Sequence, residues 1–473
     1  MSVSPSPRAG LARPSPALLR WLGALVGVGL AAVTWATGGA PGLGERALYD
    51  LAASRLLPSV PPTADLVLVE VDDRALAALG ERWPLSRSTW ARVFQALAAR
   101  HPSAVVVDIL FDQPGPRDAL ELGDDILERL RATGLDQTPA GAALVTELET
   151  RLRAQDGDAR LGEALSEAGV VILGAIGLQE PSPPSASGDA PPGPPLPLSS
   201  QGLRLQFQGM ATSIAPLRMA AASGGTLNML VDPDGVIRRY PYLQGAKDRA
   251  WPSLALATAL HLYPERTEAL LRAASIDSGA PLMRLPTVDW LPRVSLSDVL
   301  QADPKSVGLD LALRGKTLFL GVTATGLHGQ STLPGQIAVP GVEIHAFALD
   351  NLRAGRVMRS AGAIAAAGLL ETAALLGLFL WRGRRARTLA GALGWAGLGL
   401  VLHTALVGWL AADLGWVLPF VPACVGLAWV SCTEAVARGE DLKRQRGALK
   451  RLFVRYPQAA PETAVPPARE DVR

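Results

Sequence analysis

Long stretches with few or no charged side chains constrain this chain most. The first, Trp21–Ala40, contains no charged residue. Three more follow near the other end of the sequence: Ala361–Trp381, Thr388–Leu410 and Trp416–Ala437. A helix needs about 20 mostly apolar residues to cross the hydrocarbon core of a bilayer. The sequence therefore predicts four transmembrane helices, at 21–40, 361–381, 388–410 and 416–437.

The positive charges beside these stretches predict the orientation of the helices. Arg8, Arg13 and Arg20 precede the first stretch, four arginines lie at 382–387, and seven Lys or Arg residues lie at 438–455. The link Ala411–Gly415 carries only Asp413. Because basic residues favour the cytoplasmic side, 1–20 and 438–473 are predicted to be cytoplasmic and 41–360 extracytoplasmic. A cleaved secretory signal is the alternative for the first stretch, and it would also export 41–360.

Composition narrows the class of protein. Of the 473 residues, 49% are hydrophobic and only 19% are charged, against about a quarter charged in typical soluble domains. This excludes intrinsic disorder of the whole chain, and a net charge of +2 gives no reason to expect a nucleic-acid partner. The two cysteines, Cys424 and Cys432, both lie in the fourth stretch. The segment 41–360 therefore has no disulfide and depends on a hydrophobic core.

Alternating strands and helices predict an α/β fold for 41–360. The predicted strands are apolar and rich in β-branched residues, and they lie at Leu66–Val71, Ala104–Leu110, Val170–Ile176 and Thr317–Gly321. A short helix ends before Gly80, and another runs over 87–100 with apolar residues at helical spacing. We expect a mixed, partly parallel sheet that is covered on both faces.

Three further segments of 41–360 have a readable local pattern. Residues 118–153 predict a helical elaboration, and Gln179–Ser200, with eight prolines, predicts an exposed loop with no catalytic role. Asp232-Pro233-Asp234-Gly235 has the residue order of a type I turn. We expect Leu227–Val231 and Val236–Tyr240 to be the two arms of a hairpin around that turn.

An ordered set of short motifs resembles the CHASE domain of the second type, an extracytoplasmic sensory module found with bacterial cyclases and histidine kinases. These motifs are Val69–Asp73, Leu79-Gly80, Trp83-Pro84, Arg87, Val106–Phe111, Asn228–Arg238, Gly315-Lys316, Thr323–Leu327, Leu333-Pro334, Pro340–Glu343 and His345-Ala346. The resemblance covers about 41–360. It implies a sensor in a bacterial inner membrane, with three transmembrane helices after the sensory domain. Where the resemblance leads us to expect an Asp soon after Leu327, this chain has His328-Gly329-Gln330.

The resemblance also implies a signalling role. In relatives the last membrane helix leads to an output domain, often a nucleotide cyclase, whereas about 35 residues follow Ala437 here. We expect a receptor for an unknown extracytoplasmic ligand, without cofactor or enzymatic activity. It would act as a homodimer or through a cytoplasmic partner. The alternatives are an exported metal-dependent enzyme, a structural envelope protein, and a remnant of a CHASE-linked adenylate cyclase.

Acidic residues at the predicted strand ends are the first candidate site. Asp72 and Asp73 follow one strand, and Asp108 and Asp112 end or follow another. Ligands bind at the carboxyl edge of open α/β sheets, and carboxylates there could hold Mg²⁺ or Ca²⁺. For all four aspartates helix capping and turn formation are the favoured alternative, because no calcium-loop spacing is present; Asp72, Asp108 and Asp112 are the candidate metal ligands.

His328, Glu343 and His345 are a second candidate set. His328 is a candidate ligand-binding residue, and Glu343 and His345 would share one face if they lay on a strand. Together they could form part of a zinc site. The ligand spacing that zinc sites normally show is absent, so a structural histidine is the favoured interpretation.

Glu371 and His403 are ionisable residues inside predicted membrane helices. Glu371 lies near the middle of the second stretch and His403 lies in the third. Such groups are costly in a bilayer and normally face protein and pair with one another. We expect a Glu371–His403 contact, which would act either as a proton-sensitive latch or as a structural lock between helices.

Overall fold

The computed structural model describes residues 15–36, 43–61, 65–180, 196–246, 248–286, 290–301, 307–327, 329–360 and 363–455. The chain forms two compact units. One comprises 47–364 together with 408–417, and the other comprises 1–46, 365–407 and 418–473.

The helices and strands follow one another along the whole chain. The helices are α1 Pro16–Ala36, α2 Leu43–Arg55, α3 Asp73–Leu79, α4 Arg87–Ala98, α5 Asp118–Ala132, α6 Pro139–Gln155, α7 Gly157–Ala168, α8 Ala215–Ala220, α9 Leu254–Leu262, α10 Thr267–Ala274, α11 Ile276–Gly279, α12 Leu296–Gln301, α13 Val307–Leu313, α14 Gly341–Arg353, α15 Ala363–Leu378, α16 Leu389–Trp409 and α17 Val421–Arg455. The strands are β1 Leu66–Val71, β2 Ala104–Val107, β3 Val171–Leu178, β4 Gln206–Phe207, β5 Gly209–Thr212, β6 Ser223–Thr226, β7 Leu243–Ala246, β8 Arg249–Pro252, β9 Arg293–Ser295, β10 Thr317–Val322, β11 Gln330–Leu333 and β12 Ile337–Pro340. Turns of π-helix follow α15 at Phe379–Gly383 and α16 at Leu410–Leu414.

A mixed, mostly parallel sheet forms the centre of the unit that contains 47–364. Its strand order is β5-β3-β2-β10-β1-β9, and β6 also pairs with β3. All of these pairings are parallel except that of β3 with β5. The four predicted strands correspond to β1, β2, β3 and β10, so the expectation of a partly parallel α/β sheet is confirmed.

Both faces of this sheet are covered. Leu66, Leu68 and Phe319 point into one core with residues of α9 and α14. The alternate residues Val67 and Val69 point into the other core with residues of α4 and α7. This alternation follows from the two-residue repeat of a strand, and it explains why the strands are apolar throughout.

Two local expectations need correction, and a third is confirmed. The segments on either side of Asp232-Pro233-Asp234-Gly235 form no hairpin strands, and isolated bridges such as Leu230 with Arg239 are found instead. The turn is present, because the Gly235 amide donates to the Asp232 carbonyl over 2.8 Å. Part of the predicted proline-rich loop, 181–195, lies outside the described residues, and Leu196 and Leu198 pair with Ala250 rather than remaining free.

The other unit contains the apolar helices α1, α15, α16 and α17. Among the residues that the structure describes, three helical segments are long and apolar enough to cross a membrane, namely Pro16–Val33, Ala366–Gly383 and Leu389–Leu414. They correspond to the first three predicted membrane helices. The predicted fourth helix, 416–437, lies largely in α17, which is not among these three segments. Its second half contains the polar residues Ser431, Thr433 and Glu434.

Candidate functional site

Asp72 and Asp73 lie at the carboxyl end of β1, where they organise the neighbouring backbone. The Asp72 carboxylate accepts a hydrogen bond from the Ala75 amide over 2.8 Å and caps α3. It also accepts one from the Ser295 hydroxyl over 2.7 Å. The Asp73 carboxylate accepts bonds from both the amide and the hydroxyl of Thr325. For Asp72 the structure therefore shows the capping alternative.

Asp108 follows β2 directly and meets the first turns of α14. Its carboxylate lies 3.9 Å from His345 Nε2, and the two side chains are 21% and 1% exposed. His345 Nδ1 lies 2.6 Å from the Tyr240 hydroxyl. The structure therefore brings Asp108, His345 and Tyr240 together from three distant parts of the chain. Asp112 lies further along the same loop and is half-buried.

Burial changes the acidity of this cluster. It raises the pKa of Asp108 to about 7 and lowers the pKa of His345 to about 3, because an apolar surrounding disfavours each charged form. It also raises the pKa of the Tyr240 hydroxyl above its usual range. Burial therefore favours the neutral form of each of these three groups.

The expected strand geometry of Glu343 and His345 is wrong, because both lie on α14. Every residue from Val342 to Leu352 is buried, so this stretch has no solvent-facing side of the kind that a surface helix has. The Glu343 carboxylate binds Arg293, and His328 lies outside the described residues. Among the residues that the structure describes, no group of three or more His, Cys, Asp or Glu side chains could hold a metal ion.

A buried arginine, Arg238, organises the Asp232–Gly235 turn. Its structural role was not predicted from the sequence. Arg238 is 5% exposed and pairs with Asp50, Asp232 and Asp234 at 2.7–2.8 Å. Burial lowers the pKa of Arg238, but its hydrogen bonds to the three carboxylates outweigh burial and raise the pKa above the ordinary arginine value. The residue order of the turn, with Asp232 and Asp234, predicted its local geometry. The contact of Arg238 with Asp50 on α2 could not be predicted, because Asp50 is distant in the sequence.

The carboxyl-terminal end of α14 is linked to the segment 408–417, which joins α16 to α17. The Asn351 side chain accepts a hydrogen bond from the Arg284 amide and donates one to the Arg284 carbonyl, each at 3.3 Å. The Arg284 guanidinium in turn donates to the carbonyls of Ala411 and Ala412.

A second contact joins this segment to the residues that follow α14. The Arg359 amide donates to the Gly415 carbonyl over 2.7 Å, and the Val417 amide donates to the Arg359 carbonyl over 2.8 Å. The strand-like pairing of Arg359 with Trp416 is parallel. The short link before α17 is thus part of the same compact unit as the α/β sheet.

The expected Glu371–His403 contact is confirmed in the other unit. His403 Nδ1 lies 2.8 Å from Glu371 Oε1, and Nε2 lies 3.3 Å from the Phe420 carbonyl oxygen. The imidazole also stacks on the Phe420 ring, with centroids 4.8 Å apart. This contact joins α15, α16 and the residue immediately before α17.

Comparison with known proteins identifies the family. The sequence model of the CHASE2 domain matches residues 25–401, which is more than half of the chain. No curated protein and no solved structure matches the chain. The match extends from α1 through the α/β unit and into α16, in agreement with the motifs at β1, β2 and the Asp232–Gly235 turn. The chain therefore belongs to the CHASE2 domain family, whose domains are extracellular sensors of membrane proteins.

Proposed function

We propose that this protein is a sensor of a bacterial inner membrane, whose α/β unit lies outside the cell and controls the position of α17. The observation that carries the proposal is the folding of 408–417 into the α/β unit. Since this segment continues directly into α17, a displacement of the sensory domain is transmitted to that helix along the chain.

Helix α14 is the element that transmits the displacement. It is buried along its length, so it moves as a rigid body with its surroundings rather than bending in solvent. Its first turns lie at the sheet edge beside Asp108, and Asn351 near its other end holds Arg284. A ligand that favours one position of α14 would therefore favour one position of the 411–417 backbone.

The proposal requires α17 to cross the membrane as a fourth helix, in addition to the three apolar segments in α1, α15 and α16. Gly23 and Gly27 of α1 pack closely against Thr433 and Val430 of α17. Glu434, the most costly residue of α17 in a bilayer, is paired with Arg20 and Arg438. Such pairing allows α17 to cross the membrane despite its polar residues. The same packing favours retention of α1 over its cleavage as a signal.

The cytoplasmic end of α17 is the proposed output. The helix continues to Arg455, well beyond Ala437, and its last turns are strongly basic. We propose that a second copy of this chain or a cytoplasmic signalling partner reads its position. In this account the protein has no enzymatic activity of its own and needs no cofactor.

The test is to break the contact between Arg284 and 411–412 in the full chain in lipid nanodiscs. Arg284→Gln should increase amide hydrogen exchange in 408–417 and alter the mobility of a spin label at position 449 in α17. Arg272→Gln is the matched control, because Arg272 is 74% exposed and pairs only at the surface of α10. Increased exchange in 408–417 with an unchanged label at 449 would reject the proposed transmission.

A further inference from the structure

Asp108 is a carboxylic acid without a hydrogen-bond donor in the part of the chain that the structure describes. His345 Nε2 lies 3.9 Å from the Asp108 carboxylate, which is too long for a hydrogen bond. Only 21% of the side chain is exposed. A buried carboxylate normally gains several donors or a cation, so this arrangement suits the protonated, neutral acid better than the anion.

We assign the proton of the neutral His345 ring from its contact with Tyr240. The Tyr240 oxygen accepts a bond from the Ala255 amide at 3.4 Å and lies 2.6 Å from His345 Nδ1, and we take the Tyr240 hydroxyl as the donor of this second bond. A neutral imidazole carries one proton. With Nδ1 accepting from Tyr240, that proton lies on Nε2, the nitrogen nearest Asp108.

We infer that Asp108 and His345 form a proton-binding site at the amino-terminal end of α14, and that the acidity outside the cell is a stimulus of this sensor. The inference rests on the proposed function and names its ligand as the hydrogen ion. The exposed part of Asp108 gives protons from the external solution access to the carboxylate.

Proton loss provides a force on α14. When Asp108 ionises, its negative charge attracts the Nε2–H of His345. An ionised carboxylate is also a stronger hydrogen-bond acceptor than the neutral acid. Closing the 3.9 Å gap to hydrogen-bond distance moves the first turns of α14 toward the end of β2. Proton binding removes the charge and releases the helix. The step exchanges one proton between Asp108 and the external water.

The titratable groups around Asp108 and His345 do not compete with Asp108 for this proton. Tyr240 and Tyr242 lie on the segment that packs against α14, and burial raises the pKa of both hydroxyls. On α14, Glu343 is already paired with Arg293, which also binds Glu70. Asp108, with a pKa raised to about 7, is therefore the group of this cluster that titrates near neutral pH.

The test is infrared difference spectroscopy of the full chain in nanodiscs as the pH is varied across 7. A protonated carboxyl band should disappear with a midpoint near pH 7. Asp108→Asn should remove this band, whereas Asp112→Asn, on the same loop, should retain it. The same pH change should alter hydrogen exchange in 341–353 of the wild type but not of Asp108→Asn.

A second variant keeps the test decisive if Asp108→Asn does not fold. His345→Gln retains a polar side chain but cannot titrate, and it should move the midpoint of the Asp108 band. An absent band, or a band whose titration leaves exchange in 341–353 unchanged, would overturn the inference. If Arg284→Gln still alters the label at 449 in that case, the proposed transmission stands while its stimulus is something other than the proton.

Discussion

At the scale of single residues, Arg238 holds three carboxylates that would otherwise repel one another. Asp50, Asp232 and Asp234 each lie within 2.8 Å of its guanidinium. Removing one side of a buried ionic network leaves the other side without compensation and costs about 3–5 kcal/mol. Arg238 therefore joins α2 to the Asp232–Gly235 turn through charge rather than through apolar packing.

We predict that Arg238→Gln lowers the unfolding free energy of the protein by about 3 kcal/mol or more. Denaturant unfolding in detergent micelles measures the change. Arg272→Gln, which removes only an exposed pair, should cost less than about 1 kcal/mol. Equal effects of the two substitutions would contradict the role assigned to Arg238.

Asp108 gives the stability of the protein a predictable dependence on pH. Its pKa is raised from 3.8 to about 7, so its favourable contribution is fully present below pH 3.8 and is lost as the pH rises through 7. Asp108→Asn should therefore become more stable relative to the wild type as the pH increases, and the difference should level off above 7. Thermal unfolding of both proteins at a series of pH values measures this, and a difference that is independent of pH would contradict it.

The residues at the sheet edge show how far the sequence could predict the site. Asp72 and Asp108 were placed correctly because the buried strands β1 and β2 are readable from their apolar runs. The partner of Asp108 could not be predicted, since His345 is distant in the chain and its helix is buried on all sides. Tertiary burial on all sides of α14, rather than local periodicity, determines its structure.

At the scale of elements, the contact of α1 with α17 depends on glycines. A Cβ at Gly23 would lie 2.5 Å from Thr433, and one at Gly27 would lie 2.7 Å from Val430. A Cβ at Gly29 of the same helix would meet no atom of another described element within 4 Å. Small residues of this kind allow membrane helices to approach closely.

We predict that Gly23→Leu and Gly27→Leu separate α1 from α17, whereas Gly29→Leu leaves the contact intact. The thermal unfolding temperature in detergent should fall for the first two substitutions only. Disulfide cross-linking of cysteines introduced at 24 and 430 should fall in parallel, on a background without Cys424 and Cys432. A loss of cross-linking in Gly29→Leu as large as in Gly27→Leu would contradict this packing.

The pair of Glu371 and His403 is a polar contact between α15 and α16. Double-mutant cycles between polar groups in membrane helices give about 0.6 kcal/mol on average. We predict a coupling energy of about 1 kcal/mol between Glu371→Gln and His403→Gln, because His403 is fully buried and the atoms are 2.8 Å apart. Unfolding of the two single variants and the double variant measures it, and strictly additive effects would exclude a direct interaction.

At the scale of the whole molecule, sequence reasoning predicted the sensory α/β unit but not the place of 408–417. The link between α16 and α17 is short and almost uncharged, so nothing in its sequence indicated that it folds with residues 284 and 359. That association depends on backbone carbonyls, which are present in any sequence, so the sequence of 408–417 carries no pattern that predicts it.

The orientation of α17 tests the account most directly. Met219 in the α/β unit is 83% exposed and Leu449 in α17 is 53% exposed, so cysteines at these positions are accessible to a membrane-impermeant thiol reagent. Both would be introduced singly on a background without Cys424 and Cys432, and labelled in intact spheroplasts. We predict labelling at 219 without permeabilisation, and labelling at 449 only after the membrane is opened. Labelling of both positions in intact spheroplasts would show that α17 does not cross the membrane and would contradict the proposed sensor.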